Sequence, residues 1–139
     1  MNVLYLAGHS PQEPGYDRAG VTEFGVATHV VSTLAPSQPP LSLDRLRYPE
    51  YIYKQLGYIH THKTAYDYVI SLHYGHSHNL RRNHATIIYK YHSIASYGLA
   101  YTLQEIVAEY VPCLLSNAKE AGYKHNFFLM NSHLPAVIL

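Results

Sequence analysis

Tyr66-Asp67-Tyr68-Val69-Ile70-Ser71-Leu72-His73 is the stretch from which the fold can be read. Its first seven residues are rich in β-branched and aromatic side chains, which predicts a strand over Tyr66 to Leu72 that stops at His73. The short apolar run from Val3 to Ala7, closed by Gly8, predicts a second buried strand, and His9 comes directly after it. Two predicted strands therefore each deliver a histidine to the loop that follows.

Working outward, the loop with Pro11, Pro14 and Gly15 leads to Thr22-Glu23. Apolar residues at Phe24, Val26, Ala27, Val30, Val31 and Leu34 have helical spacing, Thr22 is a plausible N-cap, and the helix should end before Ala35-Pro36. Pro49 suits the first turn of a second helix through Tyr51, Ile52, Leu56 and Ile59, with Gly57 as its weak point. Beyond the 75–83 loop the pattern predicts a strand over Ala85 to Tyr91 and a helix from Ser93 to Tyr110. Then come a further helical stretch up to Gly122, a short strand over Phe127 to Met130, and a last strand over Ala136 to Leu139.

Strands alternating with helices imply a single α/β domain over residues 1–139. The expected architecture is one open, twisted sheet, largely parallel or mixed, with helices on both faces. Such sheets place ligands beyond the carboxyl ends of their strands, where His9 and His73 fall.

Composition narrows the function classes. The chain of 139 residues suits one core, and 47% hydrophobic with 14% charged residues is a globular balance. A formal net charge of +1 supplies no basic excess for nucleic acid or an anionic membrane, so neither is an expected partner. The first residues carry no positive n-region and too short an apolar run for a signal peptide or a membrane span, so the chain is expected to be cytoplasmic as synthesised. The single Cys113 excludes an intrachain disulfide and reads as a small buried hydrophobe. Fifteen tyrosines without tryptophan suit half-buried faces, or contact with carbohydrate or peptide.

The eleven histidines carry the chemistry. Hydrolytic zinc takes three protein ligands of the His, Glu or Asp kind and keeps a fourth position for water, a count that His9, Glu23 and His73 meet. Glu23 at a helix start is favoured as a carboxylate by the helix dipole, and it also suits a simple helix-start charge. His76 and His78 flank Ser77, and His60 and His62 form a second pair; either could take a metal adventitiously, although residues two apart do not share a helix face. His76 and His78 are candidates to line the cleft and touch substrate. His29, His84, His92, His125 and His133 read as ordinary surface or satisfied residues. No Gly-x-Ser-x-Gly elbow, glycine-rich phosphate loop or His-Glu-x-x-His helix is present.

Gly8-His9-Ser10, Glu23 fourteen residues later, Ile70-Ser71-Leu72-His73, and Leu134-Pro135-Ala136-Val137-Ile138-Leu139 together resemble, in order and context, the zinc N-acetylmuramoyl-L-alanine amidases. The resemblance spans nearly the whole chain and implies that His9, Glu23 and His73 bind Zn2+. It implies hydrolysis of the amide between the lactyl group of muramic acid and L-alanine in peptidoglycan, with a peptidoglycan fragment or related amide as partner. The family's Asp-Pro-Gly-His-Gly opening is Leu6-Ala7-Gly8-His9-Ser10 here, and Tyr74-Gly75 follows the second histidine where the family often has Asn. The family's catalytic glutamate comes just after its last strand, and here it would follow Leu139. A degenerate domain with a structural or recognition role, and a zinc hydrolase of another N-acyl amide, are the alternatives. A wall-cutting enzyme without a signal peptide is expected to reach its substrate by lysis or a phage-type route.

Overall fold

The computed structural model describes residues 1–74, 84–120 and 122–139, the side chain of Tyr123 excepted. The elements in order are β1 (Val3–Ala7), β2 (Asp17–Arg18), β3 (Val21–Thr22), α1 (Glu23–Leu34), α2 (Glu50–Thr61), β4 (Tyr68–Leu72), β5 (Ala85–Tyr89), α3 (Ile94–Ala108), β6 (Cys113–Asn117), α4 (Tyr123–Asn131) and β7 (Ala136–Ile138). Five strands form one sheet in the order β1-β4-β7-β5-β6. β1, β4 and β7 are mutually parallel, β5 and β6 are parallel to each other, and the two groups meet antiparallel where β5 pairs with β7. The expected α/β sheet is thus present in its mixed form.

Alternation along the strands splits the core into two layers. Leu4, Leu6, Val69, Ala136 and Ile138 face the layer built with Tyr51, Ile52 and Ile59 of α2 and Phe128 and Leu129 of α4. Ile70, Ile87 and Val137 point the other way, onto Ala100 of α3. Both faces of the central strands are therefore covered, which is why their sequences read as continuous apolar runs. Several tyrosines, among them Tyr5, Tyr58, Tyr66 and Tyr89, pack against these layers in the half-buried role open to them.

Helix α1 packs against the edge strand β1. The free edge of β1 is closed by a side chain: the Tyr5 N–H donates to Gln38 Oε1 at 2.9 Å, and Gln38 Nε2 donates to the Tyr5 carbonyl at 2.6 Å. One amide side chain so takes the place of a neighbouring strand and blunts an edge that could pair with another chain.

Most predicted elements lie within two residues of their expected bounds, and two do not. The stretch from Pro112 to Gly122, expected to be helical, contains β6, because five consecutive residues pair with β5 from Ala85↔Cys113 to Tyr89↔Asn117. That ladder outweighs a local preference worth tenths of a kcal/mol per residue. Phe127–Met130, expected as a strand, lies in α4. A four-residue apolar run has no period of its own, and helical placement buries the adjacent pair Phe128 and Leu129 together.

Candidate metal centre

The site is assembled at the carboxyl ends of β1 and β4. The Gly8 N–H donates to the Leu72 carbonyl at 2.7 Å, which carries the parallel ladder one step past both strands and leaves His9 and His73 side by side. His9 has left-handed backbone, with φ 67°, a conformation that costs a non-glycine residue roughly 1–2 kcal/mol and turns the chain out of the strand direction. Ser10, fully buried, then locks the loop: its hydroxyl donates to the Leu46 carbonyl at 2.6 Å and accepts from the Glu13 N–H at 3.2 Å. Gly8 must be glycine, because a Cβ there would overlap the His73 imidazole.

Glu23 arrives by a different route. The antiparallel pair β2–β3 is joined through Ala19 and Gly20, both at positive φ as a two-residue hairpin of this kind requires, and it feeds directly into α1. Thr22 caps that helix by accepting the Gly25 N–H at 3.0 Å, so Glu23 becomes its first residue and aims its carboxylate back at the sheet edge. Gly15, at φ 74°, leaves room for this carboxylate that a Cβ would fill.

The three side chains converge. Glu23 Oε1 lies 2.9 Å from His73 Nδ1 and 3.1 Å from His9 Nε2, and one donor atom from each residue lies within 4.8 Å of the other two. Glu23 also accepts N–H groups from Tyr74 to Oε1 at 3.1 Å and from Tyr16 to Oε2 at 3.3 Å. Burial by itself pushes this carboxyl up, but hydrogen bonds from His73 and His9, the charge on His9 and the Tyr16 N–H outweigh it and hold Glu23 well below the usual carboxylate range. Two imidazole nitrogens set against one carboxylate oxygen must share protons with it, or give those protons up to a cation at the same point. An imidazole, imidazole and carboxylate set on a preformed frame is a donor set that suits zinc. Among the described residues it is the one such group of three or more.

The cleft beside the three is small, about 30 Å³, and is bounded also by Tyr51, Gln55, Lys124 and His125. Gln55 is buried and donates to the Ala7 carbonyl at 2.8 Å, fixing the backbone just before Gly8. The Tyr51 hydroxyl is pushed up to about 12 by burial and by the nearby Glu13, Tyr48 and Glu23, so it stays protonated. Lys124 sits 4.4 Å above the Tyr48 ring and 3.8 Å from the Glu13 carboxylate. His125 stands edge-on to His73, with ring centroids 4.8 Å apart, and is pushed down to about 4 by burial and by the charges of His73 and His9.

Of the other sequence candidates, His76 and His78 lie outside the described residues. His60 and His62 turn away from the centre: His60 lies against His133 at 4.5 Å, and His62 stacks on Tyr58 at 4.0 Å. Leu139 runs beside His73, whose N–H donates to its carbonyl at 2.7 Å, so the last strand reaches the same edge. His125, read from the sequence as an ordinary surface or satisfied residue, lines the cleft. Read as a helix, the stretch 123–131 would have put it three and four positions before Phe128 and Leu129, on the buried face.

No protein-family model matches the chain, and no curated protein matches it in sequence. Solved structures do resemble it. An N-acetylmuramoyl-L-alanine amidase from Clostridium difficile 630 superposes with a TM-score of 0.68 at 14% identity, over 99% of this chain and 77% of that one. The amidase AmiC2 of Nostoc punctiforme gives 0.64 at 16%, over 99% and 77%. The catalytic domain of the amidase CwlV from Bacillus (Paenibacillus) polymyxa var. colistinus gives 0.61 at 14%, over 99% and 78%. At these identities the shared property is the fold, and it is the one that the sequence resemblance implied.

Proposed function

We propose that this chain is a zinc-dependent amide hydrolase, with the bond between the muramic acid lactyl group and L-alanine of peptidoglycan as its substrate. The observation that carries the reading is the convergence of His9 Nε2, Glu23 Oε1 and His73 Nδ1 on one point at the carboxyl edge of the sheet. Support for the substrate comes from the resemblance of the motifs and from the fold shared with proteins named as N-acetylmuramoyl-L-alanine amidases.

In this reading His9, Glu23 and His73 hold the metal. Zinc, when bound, lowers the pKa of a coordinated water toward neutrality and polarises a carbonyl oxygen. The protein groups do the rest. Tyr74 and Tyr16 N–H groups orient the Glu23 carboxylate, and Gln55 braces the backbone ahead of His9. The protonated Tyr51 hydroxyl offers a hydrogen bond at the cleft, and Lys124 places a cation at its rim.

A second reading, a domain that binds metal or glycan without efficient turnover, rests on the lining of the cleft. Among the described residues that line it alongside His9 and His73, no carboxylate appears. A general base of that kind is commonly worth about 10²–10⁴ in rate.

The test is elemental analysis of the purified protein beside His9→Ala and His73→Ala, followed by assay for release of peptide from peptidoglycan with and without chelator. About one zinc per chain, as expected for a single site, lost in both variants and needed for peptide release, is the expected result. Metal retained by both variants removes the assignment. Zinc bound without turnover selects the second reading.

A further inference from the structure

Neighbouring imidazoles share one spacing around His73. The rings of His9 and His73 have centroids 5.1 Å apart at 68°, and those of His73 and His125 are 4.8 Å apart at 72°. Two imidazoles bound to one tetrahedral zinc, each with a metal–nitrogen bond of about 2.0–2.1 Å, have ring centroids about 5 Å apart. His125 thus stands beside His73 at a spacing that a co-ligand would have and that an ordinary edge-on ring pair also has, on an element that contributes none of the three convergent donors.

His125 is open to a ligand on the cleft side. His125 makes no hydrogen bond to another described residue, although it is half-buried in the same cleft as His9 and His73. The cleft volume of about 30 Å³ is room for an ion with a water or two, and not for a sugar-linked peptide.

We propose that His125 is a fourth protein ligand, which closes the metal centre when no substrate is present and is displaced when the substrate carbonyl takes its position. The inference rests on the metal reading above and adds a His3Glu resting state to it. The closest group of donor atoms is formed by His9, Glu23 and His73 alone, so His125 joins them by turning its ring when the cation arrives. A site with four protein donors is closed, like structural zinc sites, and one with three is open. His125 then sets both how tightly zinc is kept and how readily the site opens.

The experiment uses the intact chain and zinc alone. Zinc affinity is measured by competition with a chromophoric chelator for the wild type, His125→Ala and His125→Gln. In parallel, imidazole nitrogen NMR of the wild type follows each histidine during zinc titration. The expected result is an affinity about tenfold or more weaker in both variants, still with one zinc per chain, and a ligation shift of a His125 ring nitrogen together with those of His9 and His73. Unchanged affinity in the variants, or a His125 resonance that stays in place while the other two shift, overturns this inference and leaves the metal reading standing. A wild-type chain that binds no zinc overturns the metal reading itself, and this inference with it.

Discussion

The two halves of the sheet run in opposite directions, and the convergent donors follow one of them. β1, β4 and β7 end at a common edge, where the chain places His9, His73 and Leu139. β5 and β6 end at the opposite edge, at Tyr89 and Asn117. Both halves are apolar, and both are paired by regular ladders. Strand direction decides which carboxyl ends share an edge: those of parallel neighbours meet, while an antiparallel neighbour brings its amino end there instead. The reversed pair still touches the site indirectly: after β6 the chain crosses to α4, whose first turn brings Lys124 and His125 to the cleft.

If the reversed pair serves as scaffold and the parallel trio as site, damage to each should read out differently. The largest effect is expected from Ile87→Ala at the fully buried centre of β5, a loss of about 2–5 kcal/mol of stability by denaturant unfolding. Zinc stoichiometry at low temperature should be unchanged. A variant that stays folded yet loses its metal would break the division of labour.

Gly8→Ala should reverse that pattern. Its Cβ overlaps the His73 ring, so overpacking costs about 1–3 kcal/mol while zinc binding is lost or severely weakened. Normal zinc affinity in this variant would mean that His73 has more freedom than the packing allows.

The smallest effect sharpens the place of α4 between the halves. His125 is pushed down to about 4 by burial and by the charges of His73 and His9, whereas an unfolded histidine titrates near 6.5. Between about pH 6.5 and 4 the unfolded chain therefore binds the extra proton, so stability should fall as pH falls through this window. The His125 contribution is on the order of 1–2 kcal/mol after allowance for its partial exposure. Unfolding curves of the wild type and His125→Gln at pH 7 and pH 4 measure it: the variant should lose less on acidification. An equal loss in both would place His125 in a more solvated setting than the packing against His73 indicates.

Legibility of the chain follows the same division. β1, α1, α2 and β4 were readable because each has a single strong signal: an apolar run closed by glycine, a Thr22 cap before helical spacing, a proline at a helix start, or a β-branched run ending at His73. The hairpin β2–β3 was not, since two residues per strand are too few to show a period. β6 and α4 were misread because Cys113–Asn117 and Phe127–Met130 are short and mixed, and their states are set by what they pack against. A strand expected at Phe127 also hid the helix that carries His125 to the cleft.

By itself, the sequence determined that one α/β domain would place two histidines past two strand ends, with a carboxylate at the start of a helix. It could do so because strand and helix signals are local, carried by side-chain pattern and backbone preference over a few residues. The tertiary structure alone decided that Glu23 Oε1 lies within 3.1 Å of both imidazoles, and that His125 packs edge-on against His73 while His60 and His62 turn away. Those outcomes depend on strand order, on the left-handed turn at His9 and on the room left by Gly8 and Gly15. Each is a relation between segments far apart in the chain, and no local preference encodes it.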